Sequence, residues 1–267
     1  QRKIDIHSID PHTGKATIIF TDTDNAWVEL VSGVPALQSD GTLVTCADRD
    51  GVRRLLVNGV AVTPTTMQVR SVVSAGENVV FIANDINTPW ETDAWAFVDG
   101  TLKQLTASQG VATVTGSLNC YISRISTLDT ERAHFTVHTS TNTHEIASLS
   151  ETSLVQPNVR IMSVGPRGIP VAILLPRDGL NTKLPVLFDP YGGPHAQRVV
   201  ASRAAYNSSQ WFADQGFVVV IVDNTGTPGK GSAWERGVIR DLAQPVLDDQ
   251  VEILRDLNDL EPRADTS

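Results

Sequence analysis

The sequence has few cysteines, no basic cluster and no long apolar run. Its two cysteines, Cys46 and Cys120, lie far apart in strand-like segments, so we predict buried, reduced thiols and no disulfide framework. The net charge is −9, from 21 Lys and Arg against 30 Asp and Glu, which argues against a nucleic-acid or anionic-membrane partner. The longest apolar run, Phe217–Val222, has the length of a strand, whereas a membrane span needs about 20 residues.

The compartment follows from these absences. With reduced thiols and no signal peptide in the sequence, we predict a cytoplasmic protein. The chain begins at Gln1 rather than Met, so a leader upstream of Gln1 stays an alternative. The hydrophobic content of 41% and charged content of 19% are typical of a globular protein.

Residues 1–158 are predicted to form part of a β-propeller. Short strand-like runs alternate with turn sequences such as "SDGT", "DRDG" and "VDGT". Similar units start at Trp27, Val69 and Val111, so the repeat is 42 residues long, and four strands at this period are typical of a propeller blade. We count about three and a half blades, fewer than the roughly four to eight of a closed propeller. We therefore expect an internal piece of a larger protein, with an open β-sandwich as the alternative fold.

Residues 159–267 have the pattern of an α/β domain. Leu184–Phe188 and Gly216–Asn224 are apolar runs typical of strands covered on both faces. A helix is predicted between them, closed by Gly216, and the clearest helix follows in "DLAQPVLDDQVEILRDLNDLEPR". Its predicted apolar stripe is Leu247, Val251, Leu254 and Leu257. Alternating strands and helices predict a mostly parallel sheet.

The loop "DPYGGPH" follows the third predicted strand of this domain. Gly192 and Gly193 allow close approach of the backbone to a ligand, so we predict that they contact substrate. Tyr191 would then project its hydroxyl over the carboxyl ends of the strands, where α/β sheets bind ligands. A phenol at this place can donate a hydrogen bond to a developing oxyanion. The alternative is a tyrosine that only fills a turn.

Three segments carry a family resemblance: "DPYGGPHAQ", "WFADQGFVVVIVDNTGTPGKGSAWERG" and "DLAQPVLDDQVEIL". Together they resemble the prolyl oligopeptidase family of serine peptidases, in particular the dipeptidyl peptidase IV branch of the actinobacterial type. The resemblance implies late propeller blades followed by the first half of an α/β-hydrolase domain, with Tyr191 as an oxyanion donor. It also implies a serine exopeptidase that takes peptides as substrates, releases N-terminal dipeptides with Pro or Ala in second place by way of an acyl-enzyme, and needs no cofactor. The sequence departs from the family at Thr225, where the family usually has an arginine expected to brace loops near the site.

The nucleophile that this fold requires is missing from the sequence. Such enzymes carry it on a G-x-S-x-G turn, followed by an acid and a histidine, and no G-x-S-x-G occurs here. Ser232 lacks the flanking glycines and Ser267 is the last residue. His195 precedes any nucleophile turn, so we interpret it as a loop-bracing residue. The chain alone is therefore predicted to be inactive.

Other polar residues are interpreted as structural. In a strand, His134 and His138 would be about 13 Å apart, too far to share a metal, and no metal site is predicted. Four carboxylates are interpreted as caps or solvated charges: Asp189, Asp223, Asp248 and Asp249.

Two open questions concern function and assembly. Two other functions stay open besides the dipeptide-releasing exopeptidase. One is an acylaminoacyl peptidase or oligopeptidase of the same superfamily, and the other is a non-catalytic propeller that serves as a binding module. We also expect self-association through unpaired strand edges, one of them on Gly216–Asn224, which would lack a neighbouring strand.

Overall fold

The computed structural model describes residues 1–179, 182–191 and 194–267. Its N-terminal half consists of antiparallel sheets whose strands follow one another along the chain. The first sheet has two strands, β1 (Lys3–Ile9) and β2 (Ala16–Thr23), and the next three have four each. Those twelve strands are β3 (Ala36–Leu37), β4 (Leu43–Arg49), β5 (Val52–Val57), β6 (Val60–Ala61), β7 (Met67–Ala75), β8 (Val79–Asp85), β9 (Asp93–Val98), β10 (Thr101–Gln104), β11 (Val111–Ser117), β12 (Cys120–Ser126), β13 (His134–Thr139) and β14 (Thr143–Ile146).

The tight hairpins of this half are set by Asp-Gly and Asn-Gly pairs. At residues 50–51, 58–59 and 99–100 both members of the pair have positive φ, between 48° and 83°. Two consecutive positive φ values define the turn whose twist matches that of the flanking strands, and Asp-Gly and Asn-Gly favour it. These turns fix the register between β4 and β5, between β5 and β6, and between β9 and β10.

The middle four-stranded sheet packs on both of its faces. Along β8, Val79 and Phe81 belong to a core shared with the preceding sheet, while Val80 and Ile82 belong to a core shared with the following one. Since successive side chains of a strand point to opposite faces, a strand with no exposed side requires sheets stacked on both sides. The predicted repeat of four strands per unit is therefore present as a stack of sheets.

The C-terminal half is one five-stranded sheet with helices on both faces. Its strands are β15 (Val159–Val164), β16 (Ile169–Leu174), β17 (Leu184–Phe188), β18 (Val218–Val222) and β19 (Ala264–Asp265), in the order β15-β16-β18-β17-β19. Its helices are α1 (Asn207–Ala213), α2 (Ser232–Glu235) and α3 (Gln244–Leu260), with 3₁₀ turns at Arg203–Tyr206 and Arg236–Val238. Among the described residues, no helix is long and apolar enough to cross a membrane.

Strand β18 forms the centre of this half. Val218, Val220 and Val222 pack against the side covered by α3, and Val219 and Ile221 pack against the side covered by α1. All five are buried, as predicted for a strand covered on both faces.

Three details of the sheet differ from the sequence expectations. The predicted unpaired edge on Gly216–Asn224 is wrong, because β18 pairs with β16 on one side and β17 on the other. The next strand along the chain, the short β19, pairs with β17 and not with β18. The sheet is also not mostly parallel: two of its four pairings are antiparallel, since the opening β15–β16 hairpin joins β18 in that direction.

The apolar stripe predicted for α3 is only partly right: Leu257 is buried, as predicted, and Val251 is half-buried. Leu247 and Leu254 are exposed, and the face that packs on the sheet carries Asp249, Ile253 and Leu257. The helix turns a carboxylate inward at Asp249, where polar partners contact it, and this rotates two leucines toward solvent. Neither cysteine is fully buried as predicted: Cys120 is exposed, and Cys46 is half-buried.

Candidate functional site

Tyr191 lies in the loop that leaves the carboxyl end of β17. Strand β17 runs parallel to β18, and the pairing continues past its last residue through a 2.9 Å hydrogen bond from the Asp189 amide to the Val220 carbonyl. The carboxyl ends of the two strands therefore meet at one edge of the sheet, where ligands bind in open α/β sheets. Tyr191 follows two residues later and is half-buried. Gly192 and Gly193, predicted to contact substrate, lie outside the described residues.

An ion pair closes the base of this loop. The Arg198 guanidinium contacts both carboxylate oxygens of Asp189, with Nη2–Oδ2 at 2.5 Å and Nη1–Oδ1 at 3.3 Å. Ser209, on α1, donates its hydroxyl to the same Oδ2 at 2.9 Å. Because a guanidinium and a carboxylate are both planar, this two-pronged contact fixes orientation as well as distance. The two ends of the segment that carries Tyr191 are thereby held together.

Asp223, at the carboxyl end of β18, holds the far end of the loop by its backbone. Its two carboxylate oxygens accept the amide protons of Arg198 at 2.8 Å and Val199 at 3.0 Å. The side chain is buried, and this burial raises its pKa to about 7, although the two amides, Arg198 and Arg70 all favour the charged form. The interpretation of Asp189 and Asp223 as caps or solvated charges is therefore wrong, because both anchor one loop.

The same loop is tied to the propeller half. Gln197 donates its side-chain amide to the Pro89 carbonyl at 2.7 Å and accepts a hydrogen bond from Arg70 at 3.2 Å. Further along, the backbone amide of Ala201 donates to the carbonyl of Trp90 at 2.8 Å. The loop is thus held by the connection between β8 and β9 as well as by its own sheet.

The "GTPGKG" segment after β18 is anchored through Glu235 of α2. Its carboxylate accepts hydrogen bonds from Arg53 at 2.7 Å and Gln68 at 3.0 Å, both on propeller strands, and from the Gly229 amide at 3.3 Å. The neighbouring Arg236 contacts Asp48 at 2.6 Å, again across the boundary between the halves. These charges are mostly buried and mutually paired, as charges removed from water must be.

Thr225, the position that departs from the family pattern, is braced by other residues. Its amide and hydroxyl both donate to Oδ2 of Asp249, at 2.6 and 2.7 Å. Arg167, from the β15–β16 hairpin, donates to Oδ1 of Asp249 at 2.5 Å. The prediction that Asp249 is a solvated charge is wrong, since the residue is only 1% exposed. The guanidinium beside Thr225 therefore comes from Arg167, between β15 and β16, and not from position 225 itself.

A cavity of about 830 Å³ lies between the two halves, beside the loop. Trp27 and Leu30 contribute one wall, and Pro194, His195 and Ile239 belong to the other. Because its walls come from both halves, any molecule bound here contacts both. A smaller cavity of about 360 Å³ lies against the β7–β10 sheet.

The remaining polar candidates lie elsewhere. Ser232 is buried at the start of α2, and its amide donates to the Gly51 carbonyl at 2.8 Å. On β13, His138 stacks on Tyr121 of the neighbouring strand, with ring centroids 4.4 Å apart. Within residues 1–179, 182–191 and 194–267, no three His, Cys, Asp or Glu side chains are grouped to hold a metal.

Sequence reasoning missed Arg198 and misjudged its two carboxylate partners. The available signal was positional: Asp189 and Asp223 each directly follow a buried strand, and an arginine stands a few residues beyond the glycines. Arg198 meets Asp189 only because the chain folds back to the end of β17. A local sequence pattern does not show that the chain folds back in this way.

Comparisons with known proteins agree with this architecture. Residues 204–267 match the model of the prolyl oligopeptidase family. A stretch of 74 residues, 27% of this chain, is 39% identical to a probable dipeptidyl peptidase 4 of Aspergillus flavus, of which it covers 10%. The fold matches solved structures of Porphyromonas gingivalis dipeptidyl peptidase 4 (TM-score 0.80, 20% identity) and of a putative dipeptidyl aminopeptidase IV from Bacteroides ovatus (TM-score 0.76, 18% identity).

In both structural comparisons 99% of this chain is covered, against 40% and 44% of the solved chains. The chain therefore spans less than half the length of these relatives. The resemblance to the prolyl oligopeptidase family and its dipeptidyl peptidase IV branch is confirmed. So is the predicted fold class, propeller blades followed by the first half of an α/β-hydrolase domain.

Proposed function

We propose that this chain supplies the oxyanion-donor part of a serine exopeptidase that releases dipeptides with Pro or Ala in second place. The observation that carries the proposal is the position of Tyr191. It lies just past the carboxyl end of a parallel strand, in a loop whose later residues, Pro194 and His195, line a cavity between the two halves. The cavity volume, about 830 Å³, is within the range of sites that enclose small ligands.

In the proposed reaction a serine hydroxyl attacks the carbonyl carbon of the scissile amide. A base takes the hydroxyl proton, a C–O bond forms, and the carbonyl electron pair moves onto oxygen. The Tyr191 hydroxyl donates a hydrogen bond to that oxyanion. Collapse expels the amine with the transferred proton and leaves an acyl-enzyme, which water hydrolyses. The 267 residues contain no G-x-S-x-G, so the nucleophile belongs to another part of the peptidase, and the chain by itself hydrolyses nothing.

The test is Tyr191→Phe in the full-length peptidase that contains this chain. A Gly-Pro amide substrate should show a loss of about 10²–10³ in kcat with little change in KM, because the hydroxyl acts only once charge appears on oxygen. The matched control is Tyr121→Phe, which removes a hydroxyl from β12, far along the chain from the loop. Equal kcat for wild type and Tyr191→Phe would contradict the assigned role.

A substrate panel separates this proposal from its alternatives. Turnover of an N-acetylated alanine amide in preference to the Gly-Pro amide would indicate an acylaminoacyl peptidase. No hydrolysis of any substrate by the full-length protein would indicate a binding module. A burst of released amine, abolished by a serine-directed phosphonate, would support the acyl-enzyme route.

A further inference from the structure

Residues that follow two adjacent strands both bind Arg198, in the loop that carries Tyr191. Asp189, after β17, binds the Arg198 side chain, and Asp223, after β18, binds the Arg198 backbone amide. Ser209 supports Asp189 from the helix side with a 2.9 Å hydrogen bond. Arg198 is therefore fixed at both its backbone and its guanidinium.

The energetics of this pair argue against a purely stabilising role. The side chains of Arg198 and Asp189 are 32% and 33% exposed, and ion pairs with such access to water add little to stability. The geometry, by contrast, is restrictive. A two-pronged guanidinium contact limits rotation about the loop base, and a lysine cannot reproduce it.

We propose that Arg198 is a positioning residue that acts through Tyr191, by joining the two ends of its loop so that the phenol hydroxyl meets the developing oxyanion. This inference rests on the proposed function. Misplacement of a catalytic group by about 1 Å can cost about 10² in rate. A contact that adds little to stability can therefore matter for the reaction.

The first experiment is a double-mutant cycle in the full-length peptidase, with kcat and KM measured on a Gly-Pro amide. Arg198→Gln should lower kcat about tenfold or more while KM changes less than about twofold, because the donor matters only in the transition state. In a Tyr191→Phe background the same substitution should lower kcat less than about twofold, since no hydroxyl remains to be misplaced. Arg198→Lys should restore part of the loss.

Arg177→Gln is the matched control for the cycle. Arg177 forms a similar pair with Asp214, at 2.6 Å and also partly exposed, in the same half of the molecule. Its loss should leave kcat unchanged. If Arg198→Gln lowers kcat equally in the wild-type background and in the Tyr191→Phe background, the arginine does not act through the tyrosine and the proposal is overturned.

The second experiment does not depend on catalysis. In the full-length peptidase, 3-fluorotyrosine labelling gives one ¹⁹F signal for each tyrosine, and the variants Tyr121→Phe and Tyr191→Phe assign the signals of Tyr121 and Tyr191. Arg198→Gln should shift or broaden the Tyr191 signal and leave the Tyr121 signal unchanged as an internal reference. An unchanged Tyr191 signal would overturn the proposal.

The two experiments separate the two levels of inference. If the full-length protein shows no peptidase activity, but the Tyr191 signal responds to Arg198→Gln, the proposed function fails and the placement of Tyr191 by Arg198 stands. If Tyr191→Phe lowers kcat but Arg198→Gln changes neither kcat nor the signal, the proposed function stands and this inference fails.

Discussion

Arg53 and Glu235, 182 positions apart in the chain, form an ion pair of 2.7 Å between β5 and α2. Both side chains are only 9% exposed, and Asp48 stands 3.5 Å from the same guanidinium. The pair joins the propeller half to the segment that follows β18. It is the most deeply buried ion pair described between the two halves, so its loss should destabilise both.

We expect Arg53→Met to lower the free energy of unfolding by about 3 kcal/mol, because it leaves the Glu235 carboxylate buried beside a neutral side chain. Urea denaturation followed by tryptophan fluorescence measures the change. The control is Lys3→Gln, which removes the more exposed pair between Lys3 and Asp5 and should cost less than about 1 kcal/mol. Similar costs for both variants would show that the Arg53 pair is no better protected from water than a surface pair.

The raised pKa of Asp223 predicts a specific pH dependence of stability. Its pKa is 3.8 in ordinary surroundings and about 7 in the fold, so between these values the folded state holds a proton that the unfolded state has released. Stability from this group is present below about pH 4 and is lost as pH rises toward 7, at up to about 1.4 kcal/mol per pH unit.

The comparison with Asp223→Asn isolates this contribution. Arg198, Arg70 and Tyr206 also interact with Asp223, but they remain in both proteins, as do all other carboxylates. Chemical denaturation at pH 5 and pH 7.5 should show a larger fall in unfolding free energy for wild type than for the variant. Parallel curves would place the pKa of Asp223 near its ordinary value.

Thr225→Val should lower the free energy of unfolding by about 1–2 kcal/mol. The substitution keeps the side-chain shape but removes the hydroxyl that donates to the buried Asp249 at 2.7 Å, which leaves a buried carboxylate short of a partner. Thr225→Ser keeps the hydroxyl and should cost less. If serine and valine prove equally destabilising, the methyl group and not the hydrogen bond is what this site requires.

Self-association of the chain is expected to be concentration-dependent. The β18 edge that was predicted to drive it is paired on both sides, but β1 and β2 form a sheet of two strands only, with Ile9 and Ile18 exposed. Unpaired backbone groups beside exposed apolar side chains favour strand addition from another copy. Light scattering across a concentration series should show a rising mass, and Ile18→Lys should reduce it. A monomeric mass at every concentration would contradict this.

Local patterns predicted the elements well where the signal was local. The Asp-Gly hairpins at residues 50–51 and 99–100 and the doubly covered β18 were predicted in this way, because short-range chemistry determines them. Sequence reasoning failed where a buried polar group outweighed an apolar stripe. On α3, Asp249 meets partners from two other elements, Arg167 and Thr225, and this decides which face of the helix turns inward.

Local sequence patterns could not predict the strand order or the contacts that hold the loop, because both depend on residues that are not neighbours in the chain. The neighbours of β18 are set by crossover connections, and Asp189, the partner of Arg198, stands nine positions back in the chain. The sequence correctly placed the end of β17 just before Tyr191, and the orientation of the Tyr191 hydroxyl toward a ligand stays a prediction. The sequence did not predict what would hold the loop in place.

The hydrogen bonds from Gln197 and Ala201 to the carbonyls of Pro89 and Trp90 have a consequence for engineering. The loop that bears the proposed oxyanion tyrosine is fastened to a connection between two propeller strands, so the hydrolase half does not carry its own complete loop support. A chimaera that grafts this half onto a foreign propeller should keep its sheet and helices yet lose the setting of the tyrosine. Transplanting the 86–92 connection with it should restore that setting, because this short segment supports the loop of the C-terminal half although it precedes that half in the chain.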